Sequence, residues 1–72
     1  MPVSKILDRF GNRIKQLRKL KGLTQEGLAD RSHLHYTYIG AVERGEKNIS
    51  LKNIEKVSKG LGVTLSEFFS TL

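Results

Sequence analysis

The sequence predicts a compact all-α protein of five short helices. Apolar residues recur at three- and four-residue spacing, typical helix-capping residues bound the segments, and no segment alternates apolar and polar residues as a strand would. A chain of 72 residues has room for one small domain, so residues 1–72 are predicted to form it. The predicted helices span about residues 5–20, 25–31, 35–44, 51–60 and 65–71.

The first helix is predicted from a stripe of apolar side chains. Phe10, Ile14, Leu17 and Leu20 follow the helical repeat and lie on one face. Gly22 then supplies the left-handed cap that ends the helix.

The second helix is short and begins at a side-chain cap. The hydroxyl of Thr24 is placed to accept from an amide of the first turn, and Leu28 and Ala29 are the apolar members. Gly27, inside the helix, costs about 1 kcal/mol relative to alanine. Tertiary packing rather than intrinsic propensity is therefore expected to hold this helix.

Turn and cap residues define the other three helices. Gly45 ends the third helix, Ser50 caps the fourth, and Gly60 and Gly62 stop it. The segment Thr64-Leu65-Ser66-Glu67 has the pattern of a capping box and opens the fifth helix.

The formal net charge of +6 arises entirely within the first 21 residues. Seven basic residues stand there against Asp8 alone, and the rest of the chain carries equal numbers of acidic and basic side chains. The seven are Lys5, Arg9, Arg13, Lys15, Arg18, Lys19 and Lys21. This asymmetry favours a polyanionic partner such as nucleic acid. A basic helix face that is merely solvated would leave the same pattern.

The composition also excludes several classes of protein. Without cysteine there is neither a disulfide nor a thiolate metal site, so extra stability is expected from tight helix packing or self-association. The N-terminus lacks the apolar core of a signal peptide, and no stretch is apolar enough to span a membrane. These features predict a cytoplasmic location.

The third predicted helix has an unusual outward face. At 100° per residue, Ile39 and Val42 point to the interior, and the opposite side carries small or hydroxylated residues instead of lysine and glutamate. Those residues are Thr37, Gly40 and Ala41, with Arg44 on the same side and Tyr36 and Tyr38 flanking them. Small residues allow close approach to base edges in a DNA major groove, where the Thr37 hydroxyl would form hydrogen bonds. Alternatively, Tyr38 packs at the core boundary and Gly40 makes room for a neighbouring helix.

Glu43 lies beside the buried direction of the same helix, where an unpaired carboxylate would be costly. Arg18 follows the core-facing Leu17 in the first helix and is the predicted partner. An Arg18–Glu43 ion pair would fix the orientation of the first helix on the third more than it would add net stability.

Four segments together resemble the Cro/repressor (XRE) family of helix-turn-helix DNA-binding domains. They are Leu17-Arg18, "KGLTQEGLAD" at 21–30, "LHYTYIGAVERG" at 34–45 and "NISL" at 48–51. The resemblance runs from about residue 10 to 69 and is closest to the controller proteins of restriction-modification systems, which are small dimeric autoregulators. It implies a lambda-repressor-like helix-turn-helix fold. It also implies a transcriptional regulator that binds a palindromic double-stranded DNA operator as a homodimer, with its third helix in the major groove.

The resemblance also implies roles for individual residues. The base-reading positions would be Tyr36, Thr37, Tyr38, Gly40 and Ala41. The phosphate-binding positions would be Gln25, Arg44, Lys47 and Asn48, and the Arg18–Glu43 pair would be a structural link. Controller proteins often carry arginine where Tyr36 stands, which implies a different base preference here. Gly27 and Glu46 also depart from the family pattern and would weaken phosphate binding locally.

A homodimer is expected because one domain reads only a few base pairs, whereas a two-fold dimer reads both halves of a palindrome. Phe68, Phe69 and Leu72 exceed what one face of a short terminal helix needs. They are predicted to form the dimer contact, with part of the fourth helix. Alternatively, the phenylalanines close the monomer core.

Other classes of function have weaker support. His33 and His35 with Asp30 or Ser32 lack a third ligand and a pocket, so neither an enzyme nor a metal or other cofactor is predicted. An antitoxin or another protein-interaction module with the same fold is the main alternative. RNA binding would favour an aromatic platform on a sheet, which the sequence does not predict. RNA polymerase is a further possible partner of a transcriptional regulator.

Overall fold

The computed structural model describes residues 5–70, which form five α-helices and no strand. The helices are α1 Lys5–Leu20, α2 Gln25–Ser32, α3 Tyr36–Glu43, α4 Leu51–Leu61 and α5 Leu65–Phe69. The all-α fold class is confirmed, and every predicted helix is present. The first four helices each end within one residue of the predicted position. Within residues 5–70, no helix is both long and apolar enough to cross a membrane.

One apolar core joins all five helices. α2 packs on α3 and α4, α1 packs on α3, and α5 packs on α4. The core residues are Phe10, Ile14, Leu17, Leu28, Ala29, Ile39, Val42, Ile49, Val57, Leu61 and Phe68. Full burial of a leucine or phenylalanine side chain contributes about 1.5–3 kcal/mol. This shared core holds the short α2 and α3, which have little stability as isolated helices.

The predicted side-chain caps are present, but α4 continues through Gly60 and ends at Gly62. The hydroxyls of Thr24, Ser50 and Thr64 each accept a hydrogen bond from the amide three residues later, at 2.9, 3.1 and 3.0 Å. The Glu67 carboxylate in turn accepts from the Thr64 amide, which completes the capping box. Gly45 has φ of +75°, a conformation that side-chain-bearing residues rarely adopt, and it directs the chain away from the end of α3.

α1 and α3 approach each other at backbone distance. A Cβ atom on Gly11 would lie within 2.6 Å of the Glu43 carbonyl oxygen and would also collide with the carbonyl oxygen of Val42. The absence of a side chain at residue 11 therefore allows α1 to lie directly against the C-terminal turn of α3.

Candidate nucleic-acid interface

α2 and α3 are joined by a three-residue turn that places the N-terminus of α3 at the surface. His33 ends α2 in the left-handed conformation with φ of +56°, and the Leu34 amide donates to the Ala29 carbonyl at 3.0 Å. Leu34 packs against the core from within the turn. The turn is therefore anchored, and the direction in which α3 leaves it is fixed.

The first turn of α3 is exposed as predicted, but its second turn is not. Tyr36 and Thr37 face solvent, and Ile39 and Val42 are buried. Ala41 is buried with only 6% of its surface exposed, so the prediction that it lies on an outward, base-reading face is wrong. α3 is flanked by both α1 and α2, and contact on two sides buries a wider arc than one neighbour would.

Gly40 is also buried, but only beneath the ends of two flexible side chains. A Cβ atom at residue 40 would lie 3.2 Å from the Arg44 guanidinium and 3.3 Å from Oε1 of Gln25. The predicted bare patch at Gly40 is therefore covered in the free protein. Gln25 from α2 and Arg44 from the end of α3, both predicted phosphate-binding residues, meet above it.

Tyr38 bridges α3 and α4. Its ring is half-buried against the core, and its hydroxyl accepts a hydrogen bond from Nδ2 of Asn53 at 3.2 Å. The alternative that Tyr38 packs at the core boundary therefore describes its position in the free protein.

The predicted Arg18–Glu43 ion pair is present and buried. Arg18 donates to both carboxylate oxygens of Glu43, at 2.6 and 3.2 Å, and to the Leu23 carbonyl at 2.8 Å. Nε2 of Gln25 donates to the same carboxylate at 3.1 Å. One carboxylate thus ties α1 and the start of α2 to the end of α3, and it orients Gln25 toward the surface of α3.

The loop after α3 carries the remaining predicted phosphate-binding residues. Lys47 and Asn48 are exposed, and Arg44 donates to the two carboxylate oxygens of Glu46 at 2.9 and 3.1 Å. The hydrogen bond from Arg44 lowers the pKa of Glu46 and raises that of Arg44, so both groups remain charged at neutral pH. In the free protein the guanidinium of Arg44, which was predicted to bind phosphate, is therefore paired with the carboxylate of Glu46.

The cap of α3 was not predicted from the sequence. Nδ1 of His35 accepts from the Thr37 amide at 3.2 Å and lies 2.7 Å from the Thr37 hydroxyl oxygen. Histidine is not among the residues that commonly cap helices, so the sequence offered no signal beyond its position before the helix.

The predicted dimer residues have different environments. Phe68 is fully buried, with its ring centroid 4.9 Å from that of Phe10, so the prediction that it lies at a surface contact is wrong. Phe69 is 41% exposed, and Leu72 lies outside the described residues. Leu51, at the start of α4, is 76% exposed.

His33 and His35 are both exposed on the turn and do not converge on a third ligand. Over residues 5–70, no three histidine, aspartate or glutamate side chains are grouped so that they could hold a metal ion.

A family model described as helix-turn-helix matches residues 14–68. The chain belongs to this family. Control protein C.MunI of Mycoplasma sp is 52% identical over 65 residues, which cover 89% of this chain and 88% of that protein. Control protein C.BamHI of Bacillus amyloliquefaciens is 53% identical over 55 residues, which cover 75% and 68% respectively.

Solved structures of controller proteins have the same fold. The restriction-modification controller protein C.AhdI of Aeromonas hydrophila has a TM-score of 0.89 at 45% identity, over 92% of this chain and 100% of that one. The wild-type controller protein C.Esp1396I has a TM-score of 0.90 at 42% identity, over 93% and 88%. The predicted membership in the controller proteins is confirmed, and this helix-turn-helix protein is a DNA-binding transcriptional regulator.

Proposed function

We propose that this protein regulates transcription as the controller protein of a restriction-modification system in the cytoplasm. It binds a palindromic operator as a homodimer, with α3 of each protomer in a major groove. The observation that carries the proposal is the exposed first turn of α3, held in place by the buried Arg18–Glu43 pair. Gln25 and Arg44 meet beside it. RNA polymerase is a further proposed partner, because a regulator at a promoter binds next to it.

The candidate interface divides into base and phosphate contacts. Tyr36 and Thr37 are exposed on the first turn of α3 and face the bases, with the ring of Tyr38 at their edge. Gly40 becomes accessible to DNA when the side chains of Gln25 and Arg44 turn outward to the backbone. The phosphate contacts come from Gln25, Arg44, Lys47 and Asn48.

Titration of duplex DNA at several salt concentrations tests this function. A duplex from the region upstream of the protein's own gene should bind ~10³-fold or more tightly than a scrambled duplex, and affinity should fall steeply with salt. Thr37→Ala should relax the sequence preference, whereas Gln25→Ala should weaken binding to all sequences alike. Equal affinity for both duplexes would contradict the proposal, and the reverse pattern in the two variants would contradict the assigned roles.

The homodimer forms through the α4–α5 patch, which we define as Leu51, Ile54, Leu65 and Phe69. Leu51 and Leu65 line one surface cavity, and Ile54 and Phe69 line another. Clustered apolar side chains on a small protein mark an interaction site. Residues 5–70 measure 32 × 26 × 22 Å. Two protomers of this size, side by side, can place their α3 helices one DNA turn apart, at roughly 34 Å.

Leu51→Glu should convert the dimer to a monomer in sedimentation equilibrium, because it places a charge within the apolar contact. Operator affinity should fall roughly 100-fold or more as the two half-sites are no longer bound together. Leu20→Glu is the matched control, because Leu20 is 74% exposed on α1 against 76% for Leu51 and lies outside the patch. A dimeric Leu51→Glu protein would place the interface elsewhere.

Glu46→Gln should raise the affinity for operator and scrambled duplex alike, by about fivefold at low salt. The variant frees the Arg44 guanidinium for phosphate and removes a negative charge from the surface. Electrophoretic mobility shift measures both affinities. The gain should shrink when Arg44 is also replaced by alanine, because the effect acts through that side chain. An equal gain in both backgrounds would mean that Glu46 acts only through the overall charge.

A further inference from the structure

His35 and Thr37 form a closed hydrogen-bonded unit at the start of α3. Nδ1 of His35 accepts a hydrogen bond from the backbone amide of Thr37 at 3.2 Å and lies 2.7 Å from the Thr37 hydroxyl oxygen. The imidazole ring also stacks on Tyr36, with centroids 5.0 Å apart and planes inclined by 24°. The ring is therefore held from two sides, and both side chains are exposed where α3 would meet DNA.

The backbone amide determines which atom of this unit donates. An amide N–H only donates, so Nδ1 of His35 must carry a lone pair, and the proton of the neutral ring is on Nε2. The Thr37 hydroxyl oxygen lies 2.7 Å from the same atom, and with the ring proton on Nε2 its hydrogen points to Nδ1 and shares that lone pair with the amide. In the opposite tautomer the proton is on Nδ1, and this N–H would face the N–H of Thr37, so that two donors would oppose each other. The N-terminus of α3 would then lack its side-chain cap.

A threonine hydroxyl ordinarily rotates to donate or accept, but here its one hydrogen is already used. The oxygen retains its lone pairs, so toward any partner in the groove Thr37 acts as an acceptor only. In the major groove the donors are the N6 amino group of adenine and the N4 amino group of cytosine. Guanine presents N7 and O6, and thymine presents O4, all of which are acceptors.

We propose that His35 is a positioning residue for sequence recognition: it fixes the Thr37 hydroxyl as an acceptor, so that Thr37 selects an adenine or cytosine amino group. This inference rests on the proposed function, because it assumes that the first turn of α3 enters the major groove. The chemical class of the contacted group, an exocyclic amine on the strand facing Thr37, follows from the hydrogen bonds within the protein. Guanine and thymine at that position are rejected because acceptor would face acceptor.

Selection from a random duplex library by the full chain tests the proposal. The position read by Thr37 is the one whose preference disappears in Thr37→Val, which keeps the shape of the side chain but lacks the hydroxyl. The wild type should enrich one base pair there. Because every pair carries adenine or cytosine on one strand, the strand that faces Thr37 is the one on which removal of the amino group weakens binding. His35→Gly should also accept this pair in the reversed orientation, which presents guanine or thymine to Thr37, because the freed hydroxyl can donate. His35→Asn should behave like the wild type, because its amide oxygen restores an acceptor at the cap.

Removal of the amino group from the selected base measures the contact itself. Purine in place of adenine, or 2-pyrimidinone in place of cytosine, should weaken wild-type binding roughly three- to tenfold and leave Thr37→Val unaffected. Glycine is tolerated at helix N-caps, so His35→Gly is expected to fold. Thermal melting checks this, and His35→Asn provides the comparison with a retained cap.

The outcomes separate this inference from the proposed function. Wild-type binding that does not weaken when the amino group is removed from the base pair read by Thr37, or a His35→Gly preference identical to that of the wild type, overturns the role of His35 and leaves DNA recognition intact. An unchanged preference in Thr37→Val also overturns it, because Thr37 then contacts no base. Failure of the wild type to enrich any sequence would defeat the proposed function itself and this inference with it.

Discussion

Glu43→Ala is expected to lower the free energy of unfolding by about 3–5 kcal/mol, because it leaves the buried guanidinium of Arg18 without its carboxylate. A domain of this length has roughly 4–11 kcal/mol of stability in total, so the loss is a large fraction of the total. Urea denaturation followed by circular dichroism measures the loss. The Gln25 side chain also loses an acceptor, so DNA binding should fall further than the folded fraction alone predicts.

A double variant tests whether the unpaired charge causes this loss. Arg18→Met with Glu43→Leu removes both charges and should recover much of the stability, because apolar side chains of similar volume replace a buried pair at little cost. Glu46→Ala breaks the exposed pair with Arg44 and should leave the urea midpoint nearly unchanged. A double variant no more stable than Glu43→Ala would mean that the hydrogen bonds, rather than the lone charge, carry the effect.

Gly11→Ala is expected to cost about 3 kcal/mol, at the upper end of the effects of overpacking. The added methyl group would meet the carbonyl oxygens of Val42 and Glu43, which are backbone atoms that cannot rotate away. α1 must therefore move off α3, which also lengthens the Arg18–Glu43 hydrogen bonds. Thermal denaturation should show a melting temperature lower by about 10 °C or more.

Gly40→Ala is the matched control on the facing helix. The new methyl group meets only the ends of the Gln25 and Arg44 side chains, and alanine gains about 1 kcal/mol of helix propensity over glycine. Stability should therefore be kept or raised, while DNA binding weakens because the methyl group fills the space above Gly40 that the bases would approach. A Gly11→Ala protein as stable as the wild type would show that α1 and α3 are not in fixed backbone contact.

Local sequence signals predicted the helices well because each depends on nearby atoms. Thr24, Ser50 and Thr64 cap helices through amides only three residues away, so the sequence alone identified them. Gly45 and Gly62 end helices with positive φ for the same local reason. The Arg18–Glu43 pair joins residues 25 positions apart, but it too was predictable, because an acidic side chain next to a buried face requires a partner.

The helical wheel failed where α3 has more than one neighbour. A wheel gives the direction of each side chain from the helix axis but not how many other helices surround that axis. α3 lies against both α1 and α2, which buries Ala41, and the side chains of Gln25 and Arg44 cover Gly40. Phe68 was misplaced for a related reason, since only the docking of α5 against Phe10 shows which phenylalanine enters the core.

The sequence by itself determined the five helices, their caps, the buried ion pair and the family, because these follow from residue type and short-range spacing. The tertiary structure decided which predicted contact residues remain accessible. It also showed that Arg44 is paired with Glu46 and that the ring of His35 contacts the Thr37 hydroxyl. Accessibility and hydrogen-bond direction depend on the relative placement of separate helices and side-chain rotamers. Long-range packing sets the accessibility. Side-chain rotamers set the two hydrogen-bonded contacts, although each joins residues only two positions apart, and a linear pattern encodes neither.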